Sequence, residues 1–279
     1  MTTTINVLTA AGFTRALGNN FETYLVRSNG ADHVTIDLIG TGFTYDAAQH
    51  VTAGSITKFV LHKNGVAVFD AKVSHPIDVV AFKTAINTAG DTGDYSQLDA
   101  ILSDTPFIFR GGAGPDSSSS SGGDDRLFGN GGNDFLTGAD GNDLLFGGDG
   151  NDTLIGGSGA DRINGGAGSD KFRFESASDF GVGAGSRDVI ADLHHAEHDR
   201  IVLNGVDANQ PLAGNQAFHF IKTAEFHNVA GELRFEKHNL AGTAHDFTLV
   251  EGDTNGDGIA DIQIELKGLI NLVKGDFVL

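Results

Sequence analysis

The sequence has no cysteine. Disulfides and thiolate chemistry are therefore excluded, and a protein of this kind working outside a cell must draw its stability from its core or from bound metal. Positive charge is also scarce, with 18 Lys and Arg against 37 Asp and Glu for a formal net charge of -19. That balance disfavours nucleic acid as a partner, and part of it serves solubility. No apolar run approaches the length of a transmembrane helix. The opening Met1-Thr2-Thr3-Thr4-Ile5-Asn6 lacks the basic region and long apolar run of a cleavable signal peptide. A nucleophile elbow, a P-loop and a dinucleotide fingerprint are missing too.

Glycine and aspartate are present in a fixed pattern. Seven nine-residue units run head to tail from Gly111 to Arg173. The fourth position is Gly114, Gly123, Gly132, Gly141, Gly150, Gly159 and Gly168; the sixth is Asp116, Asp125, Asp134, Asp143, Asp152, Asp161 and Asp170. The eighth is Leu127, Leu136, Leu145, Leu154, Ile163 and Phe172 in the last six units, and Ser118 in the first, which reads as a frayed opening turn. A strict self-similar period predicts a solenoid. In each unit G-G-x-G-x-D predicts a turn with carbonyls aimed at a cation, closed by a hard carboxylate, and x-U-x predicts a short strand with one apolar side chain inward. Ligands made only of oxygen favour calcium over zinc or copper.

Successive turns fall on opposite edges, so Asp116, Asp134, Asp152 and Asp170 share one edge and Asp125, Asp143 and Asp161 the other. Ions between stacked turns would number roughly five. Their further donors are expected from the turn residues Gly129, Gly131, Gly138, Asp140, Gly147, Asp149, Gly156 and Gly165. Asp188 and Asp199 are candidates to close sites at the end of the solenoid. Asp253, Asn255, Asp257, Ile259 and Asp261 form a second candidate calcium loop. Its twelfth position is Ile264 rather than Glu, and strand-like alternation follows, so it reads as an isolated loop on a β scaffold and not as an EF-hand. His194-His195-Ala196-Glu197-His198 contains H-x-x-E-H, but between two short strand-like segments it reads as a solvated polar turn.

From Phe107-Ile108-Phe109 onward the chain resembles the C-terminal domain of serralysin-type metalloproteases and, more broadly, the repeats-in-toxin (RTX) proteins. Beside the repeats, the resemblance rests on Ser169-Asp170-Lys171-Phe172-Arg173-Phe174, Arg187 to Leu193, Asp199 to Leu203, Ala230 to Phe235 and Gly252 to Asp261. It implies a calcium-folded module and export by type I secretion machinery through an uncleaved C-terminal signal, for which Gly275-Asp276-Phe277-Val278-Leu279 is suited. The protease motif H-E-x-x-H is absent from the sequence, so the resemblance carries no proteolytic activity.

Three domains are expected: 1–106, small, β-rich and α+β; 107–174, a parallel β-roll; and 175–279, a β-sandwich-like flanking domain. Within the first, His33 to Leu38, Ser55 to His62 and Val66 to Val73 predict strands, the last two joined at Asn64-Gly65. Pro76 to Asn87 and Tyr95 to Leu102 predict helices. The whole reads as a mainly β, secreted, calcium-binding protein without a catalytic centre, extracellular or loosely attached to a cell surface. Its first domain would bind a surface polysaccharide or another extracellular protein. A secreted hydrolase or polysaccharide-modifying enzyme with an unfamiliar N-terminal domain, or a calcium-assembled matrix component, is the alternative.

Overall fold

The computed structural model describes residues 21–28, 33–45, 51–63, 66–78, 81, 108–120, 122–240 and 245–279. The chain divides into two compact units, one of residues 1–111 and 121–123, the other of residues 112–120 and 124–279.

In the first unit, strands β1 (Phe21–Ser28), β2 (His33–Tyr45), β3 (Val51–Lys63) and β4 (Val66–Asp78) form an antiparallel sheet in sequential order. Lys63 pairs with Val66, which fixes a tight hairpin; the connecting Asn64 and Gly65 lie outside the described residues. Pro76 does not open a helix. Ile77 pairs with Ile56 and Asp78 with Ser55, so the strand continues through the proline. A proline at a strand end loses no ladder bond it needs, and burying Ile77 beside Ile56 favours extension. The capping signal comes two residues later, where Asp78 Oδ1 accepts the Ala81 N–H at 2.7 Å. The rest of that predicted helix and the one at Tyr95 to Leu102 lie outside the described residues, as does most of the segment joining the sheet to β5 (Ile108–Arg110).

The second unit is built on the repeat. Its strands are β6 (Ser117–Ser119), β7 (Arg126–Gly131), β8 (Phe135–Asp140), β9 (Leu144–Asp149), β10 (Thr153–Ser158), β11 (Arg162–Ala167) and β12 (Lys171–Arg173). They alternate between two parallel sheets, each strand pairing with the one 18 residues away. Leu127, Leu145 and Ile163 align in one sheet; Ser118, Leu136, Leu154 and Phe172 align in the other. All but Ser118 are at most 1% exposed. At about 1.5–3 kcal/mol per buried side chain, this double row is the force that stacks units which could not fold singly.

The strands are longer than x-U-x. They run on through the two glycines and third residue of the next unit, because the parallel ladder continues there: Gly148 pairs with Gly166 and Asp149 with Ala167. The reversal is confined to positions four to six. At its start Gly150 has φ +133°, and a Cβ there would lie 1.9 Å from the Gly132 carbonyl oxygen, so only glycine fits.

Residues after the repeats prolong both sheets. The later strands are β13 (Asp188–Ile190), β14 (Arg200–Val202), β15 (His219–Lys222), β16 (Glu232–His238), β17 (Phe247–Asp253), β18 (Ile262–Lys267) and β19 (Phe277–Val278). Ile190 and then Leu266 extend the Leu127 row. Ile201 and then Phe277 extend the Phe172 row. The antiparallel β16-β17-β18 meander is thus joined edge to edge to the roll through β13, and the C-terminal strand closes the other sheet.

Candidate metal centre

Two columns of carboxylates follow from the stacking, one along each edge. Asp134, Asp152, Asp170 and Asp199 offer Oδ1 to the backbone N–H of Asp116, Asp134, Asp152 and Asp170 respectively, at 2.7 to 3.0 Å. On the other edge Asp143, Asp161 and Asp188 accept from Asp125, Asp143 and Asp161, each at 2.8 Å. Asp188 and Asp199, from outside the repeats, thereby continue the two columns.

The second oxygen of these groups is different. Oδ2 of Asp134, Asp143, Asp152, Asp161, Asp170 and Asp188 is buried without a hydrogen-bond partner. An ionised oxygen left so is costly. At Asp199 the column ends differently, because its Oδ2 accepts the His194 N–H at 2.7 Å. Asp116, in the opening unit, folds its Oδ2 back onto the Gly112 N–H at 2.6 Å.

Within the repeats, the unpartnered oxygens of Asp134, Asp143, Asp152, Asp161 and Asp170 point over the first glycine of their own unit. A Cβ on Gly147 would sit 2.2 Å from Asp152 Oδ2 and 2.5 Å from the carbonyl oxygen of Gly165, one turn further on. Gly129 stands in the same way to Asp134 and the Gly147 carbonyl, and Gly138 to Asp143 and the Gly156 carbonyl. At Gly156 and Gly165 the corresponding neighbours are Asp161 Oδ2 and Asp170 Oδ2. Each first glycine is therefore a missing side chain whose place is bordered by oxygen.

Third-position residues also bond between turns. The Asp149 carbonyl accepts the Gly132 N–H at 2.8 Å, the equivalent bonds recur at Ser158 and Ala167, and Gly131 donates its N–H to Gly112. Their carbonyls tie turn to turn. The Asp140 and Asp149 side chains are exposed, and Asp140 Oδ1 accepts from Ser158 Oγ.

Burial, ahead of all other causes, pushes the column carboxyls upward, and neighbouring column aspartates add to it against the opposing backbone hydrogen bond. Asp143 and Asp161 are raised to about 8, Asp170 and Asp188 to about 7. Asp134, Asp152 and Asp199 are shifted in the same direction. Without a cation the folded roll must take up protons or hold buried, mutually repelling charge.

One functional ladder escapes the consensus, which leaves the fifth position open. Oδ1 of Asp124, Asn133, Asn142 and Asn151 accepts the N–H of Asn142, Asn151, Ala160 and Ser169, each 18 residues on, at 2.8 to 3.0 Å. It runs opposite in sense to the sixth-position columns and holds each turn from its other side. The signal was the recurrence of Asp or Asn at 124, 133, 142 and 151.

The loop from Asp253 to Asp261 is closed by its own donors. Asp253 accepts from the N–H groups of Asn255, Gly256 and Gly258, and Asp261 from Thr254 and Asn255. Asn255 and Asp257 form short turns with the N–H groups of Asp257 and Ile259. All five candidates share one loop, but neither Asp253 nor Asp261 has an unpartnered oxygen there. Residues 194–198 form no long helix; His195–Glu197 is a single 3-10 turn, all five are exposed, and the His195 ring meets Asp276 at 2.6 Å.

Among the described residues no three His, Cys, Asp or Glu side chains gather as a metal centre. The roll's donor set is instead a carboxylate oxygen with main-chain carbonyls, all hard oxygen, which suits calcium and not a transition metal. Bound calcium supplies positive charge to the oxygens that have no hydrogen bond.

This arrangement defines a calcium-binding parallel β-roll. The sequence model of the RTX calcium-binding nonapeptide repeat matches residues 110–145, 137–172 and 146–180, so this stretch carries calcium-binding repeats of the RTX type. Among solved structures, the chain is similar to the AlgE6R3 subunit of the Azotobacter vinelandii mannuronan C5-epimerase, at 24% identity, covering 60% of this chain and 80% of that one with a TM-score of 0.30. It is also similar to the AlgE6R2 subunit, at 20% identity, covering 62% and 92% with a TM-score of 0.32. No curated protein matches the chain.

Proposed function

We propose that the protein is exported unfolded and folds outside the cell when calcium fills the roll. The serralysin-like strands after the roll then cap it, and the C-terminal residues address it to a type I secretion system. The observation that carries this reading is the set of buried, unpartnered Oδ2 atoms at Asp134, Asp143, Asp152, Asp161, Asp170 and Asp188. Where calcium is scarce these carboxylates oppose stacking; at millimolar extracellular calcium, sites with Kd on the order of 10⁻⁴–10⁻³ M fill, and binding energy becomes folding energy. Asp188 extends one edge by a further site. The loop from Asp253 to Asp261 is a separate calcium site on the reading from its spacing, and would have to exchange internal hydrogen bonds for the ion. The N-terminal unit serves as a non-catalytic binding module toward an extracellular polysaccharide or protein. The test is circular dichroism of the full chain in chelator and in millimolar calcium. A large gain of β signal with calcium is expected, and identical spectra would overturn the proposal.

A further inference from the structure

The space over the first glycine is kept open in every unit but the second. First positions are Gly111, Ser120, Gly129, Gly138, Gly147, Gly156 and Gly165, so only the second unit carries a side chain there. At Gly129, Gly138 and Gly147 a Cβ would stand 2.1 to 2.2 Å from the Oδ2 of the unit's own aspartate. It would stand 2.5 Å from the carbonyl oxygen of the first glycine two units on. Oxygens grouped so closely about one point suit calcium, which binds oxygen at about 2.3–2.6 Å. A side chain and an ion therefore compete for the same space.

By the same spacing, the carbonyl that borders the space at position 120 belongs to Gly138. Ser120 Oγ donates to that carbonyl. The same hydroxyl lies 3.1 Å from the Thr137 carbonyl oxygen, which also accepts the Ser120 N–H at 2.9 Å. Ser117, Ser118 and Ser119 pair in parallel with Phe135, Leu136 and Thr137, so these bonds prolong the ladder into the turn. A hydroxyl offers a carbonyl the positive end of an O–H dipole and fills the space without bringing a metal.

The opening layer is self-satisfied on its other edge as well. Asp116 Oδ2 accepts the Gly112 N–H at 2.6 Å, whereas the later column aspartates from Asp134 to Asp170 leave Oδ2 unpartnered. Strand β6 is the last strand of its sheet, and Ser118 replaces the apolar residue of its row. A solenoid needs its ends covered, and an ion in an end layer would lie closer to water than one further in.

We propose that Ser120 takes the place of a calcium ion. Its hydroxyl closes the gap between the turns at 120–125 and 138–143, so this layer stacks without metal and calcium binding on that edge begins at Asp143. The aspartate spacing alone would put an ion between Asp125 and Asp143. The serine thus makes the N-terminal end of the roll a built-in cap and shifts the calcium ladder one layer toward the C-terminus. The inference rests on the calcium-folded roll proposed above.

The test counts ions. Full-length parent and variants are dialysed to equilibrium in saturating calcium, bound calcium per chain is measured by atomic absorption, and folding is verified by circular dichroism in the same samples. Ser120→Gly reopens the space and should bind one more ion per chain than the parent. Gly147→Ser closes the equivalent space at Asp152 and should bind one fewer. Ser120→Ala keeps the Cβ but removes the donor. It should bind as many ions as the parent, with a higher calcium midpoint of folding because the Gly138 carbonyl loses its partner. An unchanged count in Ser120→Gly would overturn the inference. So would a lower count, which would make the hydroxyl a calcium ligand, and so would folded Gly147→Ser that keeps the parent's count. If Gly147→Ser does not fold, Ser120→Gly decides alone. A parent that binds no calcium would instead strike the reading beneath.

Discussion

Replacing Asp143 by Asn separates the two roles of a column aspartate. The side chain is 2% exposed, its Oδ1 holds the Asp125 N–H at 2.8 Å, and its Oδ2 is buried without a partner. Burial raises this carboxyl to about 8 from 3.8. At pH 7 the metal-free folded roll must therefore bind a proton there that the unfolded chain does not, a cost of about 4 kcal/mol at 1.36 kcal/mol per pH unit. Asn needs no proton, keeps the Oδ1 acceptor, and turns an amide N–H toward the Gly156 carbonyl, which borders the same space over Gly138. In chelator Asp143→Asn should thus gain stability, by up to about 4 kcal/mol. In calcium it should lose a ligand, so the stabilisation that calcium adds should shrink by about 3 kcal/mol per lost site at a hundredfold excess over Kd. Urea titrations followed by circular dichroism, in chelator and in calcium at pH 7, read both quantities. An unchanged or lowered stability in chelator, or an undiminished calcium increment, would refute the reasoning.

The raised column carboxyls also set the pH response. Their folded values exceed the unfolded one, so their contribution favours folding below the ordinary carboxylate range and is lost as pH rises through about 7 to 8. Without calcium, acidification from pH 9 to 5 should therefore increase β signal, and the calcium concentration needed for half-folding should fall over the same change, because protons and calcium each favour the folded roll over the unfolded chain; a falling β signal or a rising midpoint would count against the site. Gly147→Ala places a Cβ 2.2 Å from Asp152 Oδ2 and 2.5 Å from the Gly165 carbonyl oxygen, while a Cβ on Gly114 meets nothing within 4 Å. Gly147→Ala should cost about 1–3 kcal/mol and raise the calcium midpoint, with Gly114→Ala near the parent. Equal thermal melts for the two would show that the space over Gly147 is not a cradle.

Much of this protein was set by local sequence. A nine-residue period puts every sixth-position Asp in a turn and every eighth-position Leu, Ile or Phe on an inward strand, since a period of two units returns the chain to the same place one layer up. The edges carrying Asp134 and Asp143 and the pairing of Leu127 with Leu145 follow from that arithmetic alone. Other features depended on contacts distant in sequence. The turn is shorter than its glycines suggest because the ladder at Asp149 and Ala167 forms only when two layers meet. Pro76 stays in a strand because Ile77 finds Ile56. Asp188 continues a column with an unpartnered oxygen while Asp199 ends one on the His194 N–H, and no spacing distinguishes them. The same holds for β18 and β19: their alternation marks them as strands, but parallel pairing to β13 and β14 is decided by which edge of the finished roll remains open. Periodicity encodes the repeating layer; the places where the layers stop are written in tertiary contacts.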